Sequence, residues 1–301
     1  MLRSCLVAAC LAAGAAAVPA AAESLQLCDR SPPMTAQQQD KLLRFAALVR
    51  QELDASGARL ALVARSGLDL DRFAVRYSHA GLSLKANRNT PWSVRQLYYS
   101  CDERRPRLFD QGLPGFLFGT DDPTLGYISV VLLPDEPAAA LEAAALDNAR
   151  ALRLLAATYS ANAYPWSLRY QNCNQWVAEL LAAAWGGFSD GDDLRAQAQH
   201  WLNLQGYEPP PVDVGSHLLM FAAQFVPFVH LDDHPEADRF ALKLRVSLPA
   251  AIEGFVHQRL PAAQRLEFCH DGARMVMRRG WGAPLPDGCR PEAGDTVIAL
   301  D

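Results

Sequence analysis

The sequence predicts an α+β protein with a mainly antiparallel sheet flanked by helices. Two features carry this prediction. Short segments rich in Val, Leu, Ile, Tyr and Phe follow one another with only Gly, Asn, Asp or Pro between them, too close for helical crossovers. Stretches with apolar residues at helical spacing stand on either side of that group. At 301 residues, 50% hydrophobic and 20% charged, the chain can bury a sizeable core.

Taken in order, residues 1–22 read as a signal peptide. Arg3 gives a positive start, Leu6 to Val18 an apolar stretch, and Ala20-Ala21-Ala22 a small-residue cleavage site before Glu23. Val7-Ala8-Ala9-Cys10 also has the look of a lipobox, although almost no hydrophobic run precedes Cys10. The mature protein is therefore expected to be exported, periplasmic or secreted. Thr35 and Gln38 form a capping box for a helix whose buried stripe is Leu42, Phe45, Ala46, Val49 and Leu53, running to Gly57. Strands are expected at 59–65, 73–84, 92–100 and 126–133. A helix follows at about 136–158 and another from Cys173 to Trp185, stopped by Gly186-Gly187. Beyond it, a polar helix near 191–205 leads into Pro209-Pro210-Pro211, a helix-like apolar run at 216–229, a helix at 247–259 and a hairpin at 265–278 turning at Asp271-Gly272. The expected division is 23–190 as the main domain and 191–301 as a C-terminal extension or small lobe.

Several function classes are unsupported. Lys plus Arg number 28 against 33 Asp plus Glu, with no block of like charge, which argues against a nucleic-acid partner. The longest late apolar run, Leu218 to Leu231, is broken by Gln224, Pro227 and His230, so no membrane span is expected after the signal peptide. There is no Gly-rich phosphate loop, no His-Glu-x-x-His and no Gly-x-Ser-x-Gly, and no cofactor is expected. His230 and His234, with Asp232 and Asp233 between them, have i,i+4 spacing, but Pro235 and the turn-like composition favour a loop over a metal site.

Export gives the cysteines meaning. Cys28, Cys101, Cys173, Cys269 and Cys289 remain after the signal peptide, an odd number in an oxidising compartment. Cys269 with Cys289, and Cys28 with Cys101, are the expected disulfide candidates, leaving Cys173 as the thiol; a Cys101–Cys173 pair is the structural alternative. Asn172 is a good N-cap, and Cys173 then falls in the first helical turn, on the face of Trp176 and Val177. A helix N-terminus favours thiolate. Of seven histidines, His79 alone lies in a strand-like segment, where alternation groups Phe73, Val75, Tyr77 and His79 and aims the imidazole at the helix bearing Cys173. His217 is the best placed histidine after Cys173 in the chain, but its surroundings read as a helix start.

Ser78-His79-Ala80-Gly81 followed by Asn172-Cys173-x-x-Trp176-Val177 resembles the circularly permuted papain-like cysteine hydrolases, the NlpC-related group that includes the lecithin:retinol acyltransferase-like proteins. The resemblance covers about 60–185, and the whole chain also resembles an uncharacterised family of exported bacterial proteins. It implies a permuted papain-like core with Cys173 as nucleophile, His79 as general base and acid, and a polar residue on the next strand as orienter. Gln96 is the candidate there, where some relatives carry a second His. Part of the oxyanion hole would come from the Cys173 amide, with Tyr77, Asn172 and Trp176 lining the cleft. The implied activity is a thiol hydrolase or acyltransferase on an amide or ester, with peptide, cell-wall or lipid acyl substrates. The alternative is a non-catalytic exported binding module with Cys173 structural.

Overall fold

The computed structural model describes residues 33–191 and 193–301; residues 1–22, expected as a signal peptide, and Cys28 lie outside the described residues. Helix α1 (Ala36–Ala55) begins where Thr35 and Gln38 complete the expected capping box and buries the expected five-residue stripe. Strand β1 (Leu60–Arg65) is buried at every position, because both faces of the sheet are covered. The chain continues through β2 (His79–Leu84), β3 (Ser93–Ser100), β4 (Arg105–Gln111), α2 (Leu113–Phe118) and β5 (Gly126–Leu132). The single helix expected at 136–158 is two, α3 (Asp135–Leu146) and α4 (Asn148–Arg153). Asp147 divides them by capping the second, accepting from the amides of Ala149 and Arg150.

After α5 (Cys173–Trp185) come α6 (Leu194–Leu204), β6 (Pro211–Asp213), α7 (His217–Ala223), α8 (Glu236–Phe240), β7 (Lys243–Arg245), α9 (Pro249–Arg259), β8 (Gln264–His270), β9 (Arg274–Arg279) and β10 (Thr296–Ala299). The turn at Asp271-Gly272 joins β8 to β9 as expected. Among the described residues, eight strands form one sheet in the order β10-β9-β8-β5-β1-β2-β3-β4, with every neighbouring pair antiparallel. The α+β class with an antiparallel sheet and flanking helices is thus what the chain adopts. Strands from both sides of residue 190 share this sheet.

Alternation along β1 divides the core in two. Leu60, Leu62 and Ala64 pack with α3, α5 and α9, whereas Ala61 and Val63 pack with Phe45, Val49 and Leu53 of α1. Helix α5 is buried around almost its whole circumference. Its one carboxylate, Glu179, is fully buried and accepts from Arg195 Nε (2.8 Å) and Nη2 (3.0 Å), Gln199 (2.8 Å), Gln175 (3.1 Å) and Gln171 (2.5 Å). These bonds pin α6 and the 167–171 segment onto α5, which fixes the helix start that presents Cys173. Cys269 and Cys289 form the expected disulfide, with Cα atoms 5.6 Å apart. Cys101 is also disulfide-bonded.

Candidate functional site

Cys173 is the first helical residue of α5 and a buried thiol. Asn172 caps the helix, its Oδ1 accepting from the Gln175 amide at 2.7 Å, while its Nδ2 donates to the carbonyls of Ala161 and Ser247, both at 3.2 Å. The adjacent Asn174 reaches across to β2. Its Oδ1 accepts from the Ala80 amide at 2.9 Å and its Nδ2 donates to the Ser78 carbonyl at 3.1 Å. One side chain, next to Cys173 in sequence, therefore bridges the two residues that flank His79. This clip ties the N-terminus of α5 to the start of the strand bearing the histidine.

His79 opens β2 rather than lying within a longer strand. The preceding residues expected as strand include a 3₁₀ turn at Asp71–Phe73 and a left-handed Ala74, with φ of 55°. The expected common face of Phe73, Val75, Tyr77 and His79 is thereby broken. Ala80, Leu82 and Leu84 pack with α5, while the imidazole lies against Tyr98 and Phe116, with ring centroids 4.8 and 5.9 Å away. His79 Nε2 is 2.7 Å from Gln96 Oε1, and Gln96 Nε2 donates to Gln111 Oε1 at 2.8 Å. The amide of Gln96 is thus oriented with its oxygen to the ring, which assigns the imidazole hydrogen to Nε2 and leaves Nδ1 as the basic nitrogen. Gly81 permits close packing rather than open space beside the ring: a Cβ there would lie 2.6 Å from Val94 Cγ1 and 3.0 Å from the Arg95 carbonyl.

The electrostatics favour a neutral imidazole. Burial lowers the His79 pKa to about 3, the positive charge of Arg65 acts in the same direction, and the bond to Gln96 opposes both. Arg65 is the β1 residue registered opposite His79.

His79, Cys173 and Asn174 line one cavity of about 410 Å³, a size typical of small-molecule sites. Arg65 and Tyr98 contribute further polar atoms to its wall. Residues 212–248 supply much of the rest through Val212, Leu219, Met220, Phe228, Leu244 and Val246. Part of the expected C-terminal extension therefore walls the cavity, and another part completes the sheet.

The residues expected to line the cleft lie elsewhere. Tyr77 donates its hydroxyl to Glu267 Oε1 at 2.5 Å, and its burial, with the Glu267 carboxylate acting in the same direction, pushes the phenol pKa well up. Trp176 is fully buried in the core with Nε1 bonded to the Ala151 carbonyl at 3.2 Å, and Asn172 serves as the cap described above. His230 stacks on Tyr170, while His234 Nε2 is 2.7 Å from the Asn162 carbonyl. Among the described residues no cluster of three His, Cys, Asp or Glu side chains could hold a metal. His217 is exposed at the start of α7. No helix among the described residues is long and apolar enough to cross a membrane.

Arg65, Asn174 and Gln111 escaped the sequence reading. A lone arginine ending the apolar strand Leu60-Ala61-Leu62-Val63-Ala64 was the available signal for the first. Comparison with known proteins places residues 52–256 in a family described as an uncharacterized protein conserved in bacteria, DUF2145, and the chain belongs to it. No curated protein and no solved structure matches the chain.

Proposed function

We propose that this member of the DUF2145 family is an exported cysteine hydrolase or acyltransferase that acts on an amide or ester through an acyl-cysteine intermediate. The observation that carries the reading is the shared cavity: a thiol at a helix N-terminus and a strand histidine with an oriented ring line it together, and Asn174 fastens their two elements. Cys173 Sγ attacks the acyl carbon, and its proton passes to His79 Nδ1. The imidazolium then protonates the leaving amine or alcohol. Water or an acceptor alcohol, deprotonated by the same nitrogen, breaks the thioester and restores the thiol. The Cys173 amide at the helix start donates to the developing oxyanion.

Gln96 acts as the orienter in place of a second histidine. A neutral amide fixes the tautomer but stabilises an imidazolium less than a carboxylate does, and Arg65 adds to that cost. The low basicity of His79 is also the observation that favours the second reading, a binding module of the same fold. Export is supported by the N-terminal sequence and by the Cys269–Cys289 disulfide, a bond suited to an oxidising compartment. The permuted papain-like relation rests on the two short motifs. Peptide, cell-wall and lipid acyl groups are the substrates to try.

The test is mass spectrometry of the intact protein after incubation with an activated ester such as p-nitrophenyl butyrate. An acyl adduct on Cys173 that turns over, and that Cys173→Ser and His79→Ala both abolish, supports the reading. A protein that binds the ester without acylating Cys173 favours the binding module.

A further inference from the structure

Arg65 ends an otherwise apolar strand and is 4% exposed. Its Nη2 donates to the Tyr98 hydroxyl at 2.8 Å and its Nη1 to the Ser66 carbonyl at 3.4 Å, while Nε is buried without a hydrogen-bond partner. The guanidinium carbon stands 5.4 Å from the Phe116 ring centroid. Among the described residues no carboxylate pairs with it. The contrast with the other inaccessible arginines is plain: Arg195 pairs with Glu179, and Arg265 with Glu253 and Glu267. A buried cation without a counter-ion is costly.

The surroundings of this cation have the form of a receptor. Gly67 and Gly119 lie against the guanidinium so closely that a Cβ on either would collide with its nitrogens. Both glycines and Arg65 line the cavity that holds Cys173 and His79, and the remaining wall is largely apolar, including Phe73, Leu219, Met220, Phe228, Leu244 and Val246. The wall also carries Asp121, an exposed carboxylate whose Oδ2 accepts from the Asp69 amide at 3.1 Å, so Arg65 is the one cation in the lining and the buried charge of the chamber. Such a cation among largely apolar walls selects for an apolar molecule with one anionic group.

We propose that the cavity binds a long-chain carboxylate, its head group paired with Arg65 and its chain among the apolar side chains contributed largely by residues 212–248. As substrate or product this ligand rests on the hydrolase reading, whereas its binding requires no reaction at Cys173. An anion at Arg65 would also offset the positive charge that suppresses protonation of His79.

The experiment is calorimetric titration of the full mature chain carrying Cys173→Ser, so that no acyl transfer intervenes, with dodecanoate, dodecyl phosphate and dodecanol. Dodecanoate is expected to bind one to one and about tenfold or more tighter than dodecanol, a preference that Arg65→Met removes. Met220→Trp, which fills the cavity from its apolar side and leaves the charge in place, is expected to abolish binding even if Arg65→Met does not fold. Tighter binding of dodecyl phosphate than of dodecanoate overturns the carboxylate assignment. Equal affinity for dodecanoate and dodecanol, or dodecanoate binding unaffected by Met220→Trp, overturns the proposal. Any of these failures leaves the acylation test on the intact thiol untouched.

Discussion

Acid should destabilise this protein through His79, by an amount that follows from its burial. In the folded state burial and Arg65 hold its pKa near 3, against an ordinary value of 6.5. Between these values the unfolded chain binds the proton and the folded chain does not, so stability rises with pH across that window and falls as pH drops through 6.5. At about 1.4 kcal/mol per pH unit, moving from pH 7 to pH 5 removes about 2 kcal/mol through this one group. His270, buried beside Phe45 with its pKa lowered to about 4, adds a loss of the same sign. The clean quantity is the difference between wild type and His79→Gln, because the contributions of other groups cancel. Urea unfolding at pH 7, 6 and 5 should show the variant less stable at pH 7, where it loses the ring contacts, and the gap narrowing by about 2 kcal/mol by pH 5. A gap that stays constant over the range would mean that the folded histidine titrates like an exposed one, and the neutral-imidazole assignment would fail.

Glu179→Ala leaves Arg195 buried without its partner and should cost about 3–5 kcal/mol in chemical denaturation; a loss below 1 kcal/mol would show that α6 is not held by this pair. Asn174→Ala removes the clip between α5 and β2, and should reduce acylation of Cys173 more than it reduces thermal stability; unchanged acylation would remove Asn174 from the positioning role. Cys269→Ser opens a disulfide spanning 20 residues of sequence and should lower stability by about 3 kcal/mol on a loop-entropy argument. Reduction of the wild-type protein, which also opens the disulfide of Cys101, should cost at least as much, and a shift in neither would mean the loop is held chiefly by its other contacts, such as the Cys289 amide to Tyr127 hydroxyl bond of 2.9 Å.

The elements that local physics determines were legible in local patterns of residues. The Thr35 capping box, the stripe of α1, the Asn172 cap and the Asp271-Gly272 hairpin depend on near neighbours, and each forms where the sequence places it. Strand β4 was missed because Arg105 to Gln111 alternates poorly and is largely polar, pairing at the edge of the sheet with only β3. The shared face of residues 73–79 was misjudged because alternation was extended through residues 73–78, where the chain turns at Asp71–Phe73 and Ala74. The pairing of His79 with Gln96 was legible as a placement on adjacent strands. Its continuation to Gln111, the Asn174 clip and the isolation of Arg65 were not, since each depends on contacts between segments distant in sequence. The role of residues 212–248 in the cavity wall was hidden for the same reason.

The central claim is that His79 activates Cys173. It is tested most directly by following iodoacetamide alkylation of the non-reduced mature protein from pH 5 to pH 9, with peptide mapping, in wild type and His79→Ala. The account predicts a single adduct at Cys173, formed well below the ordinary thiol pKa of about 8.5 and slowed by the substitution. Finding Cys173 in a disulfide, or alkylated as an ordinary thiol whichever residue occupies position 79, would contradict it.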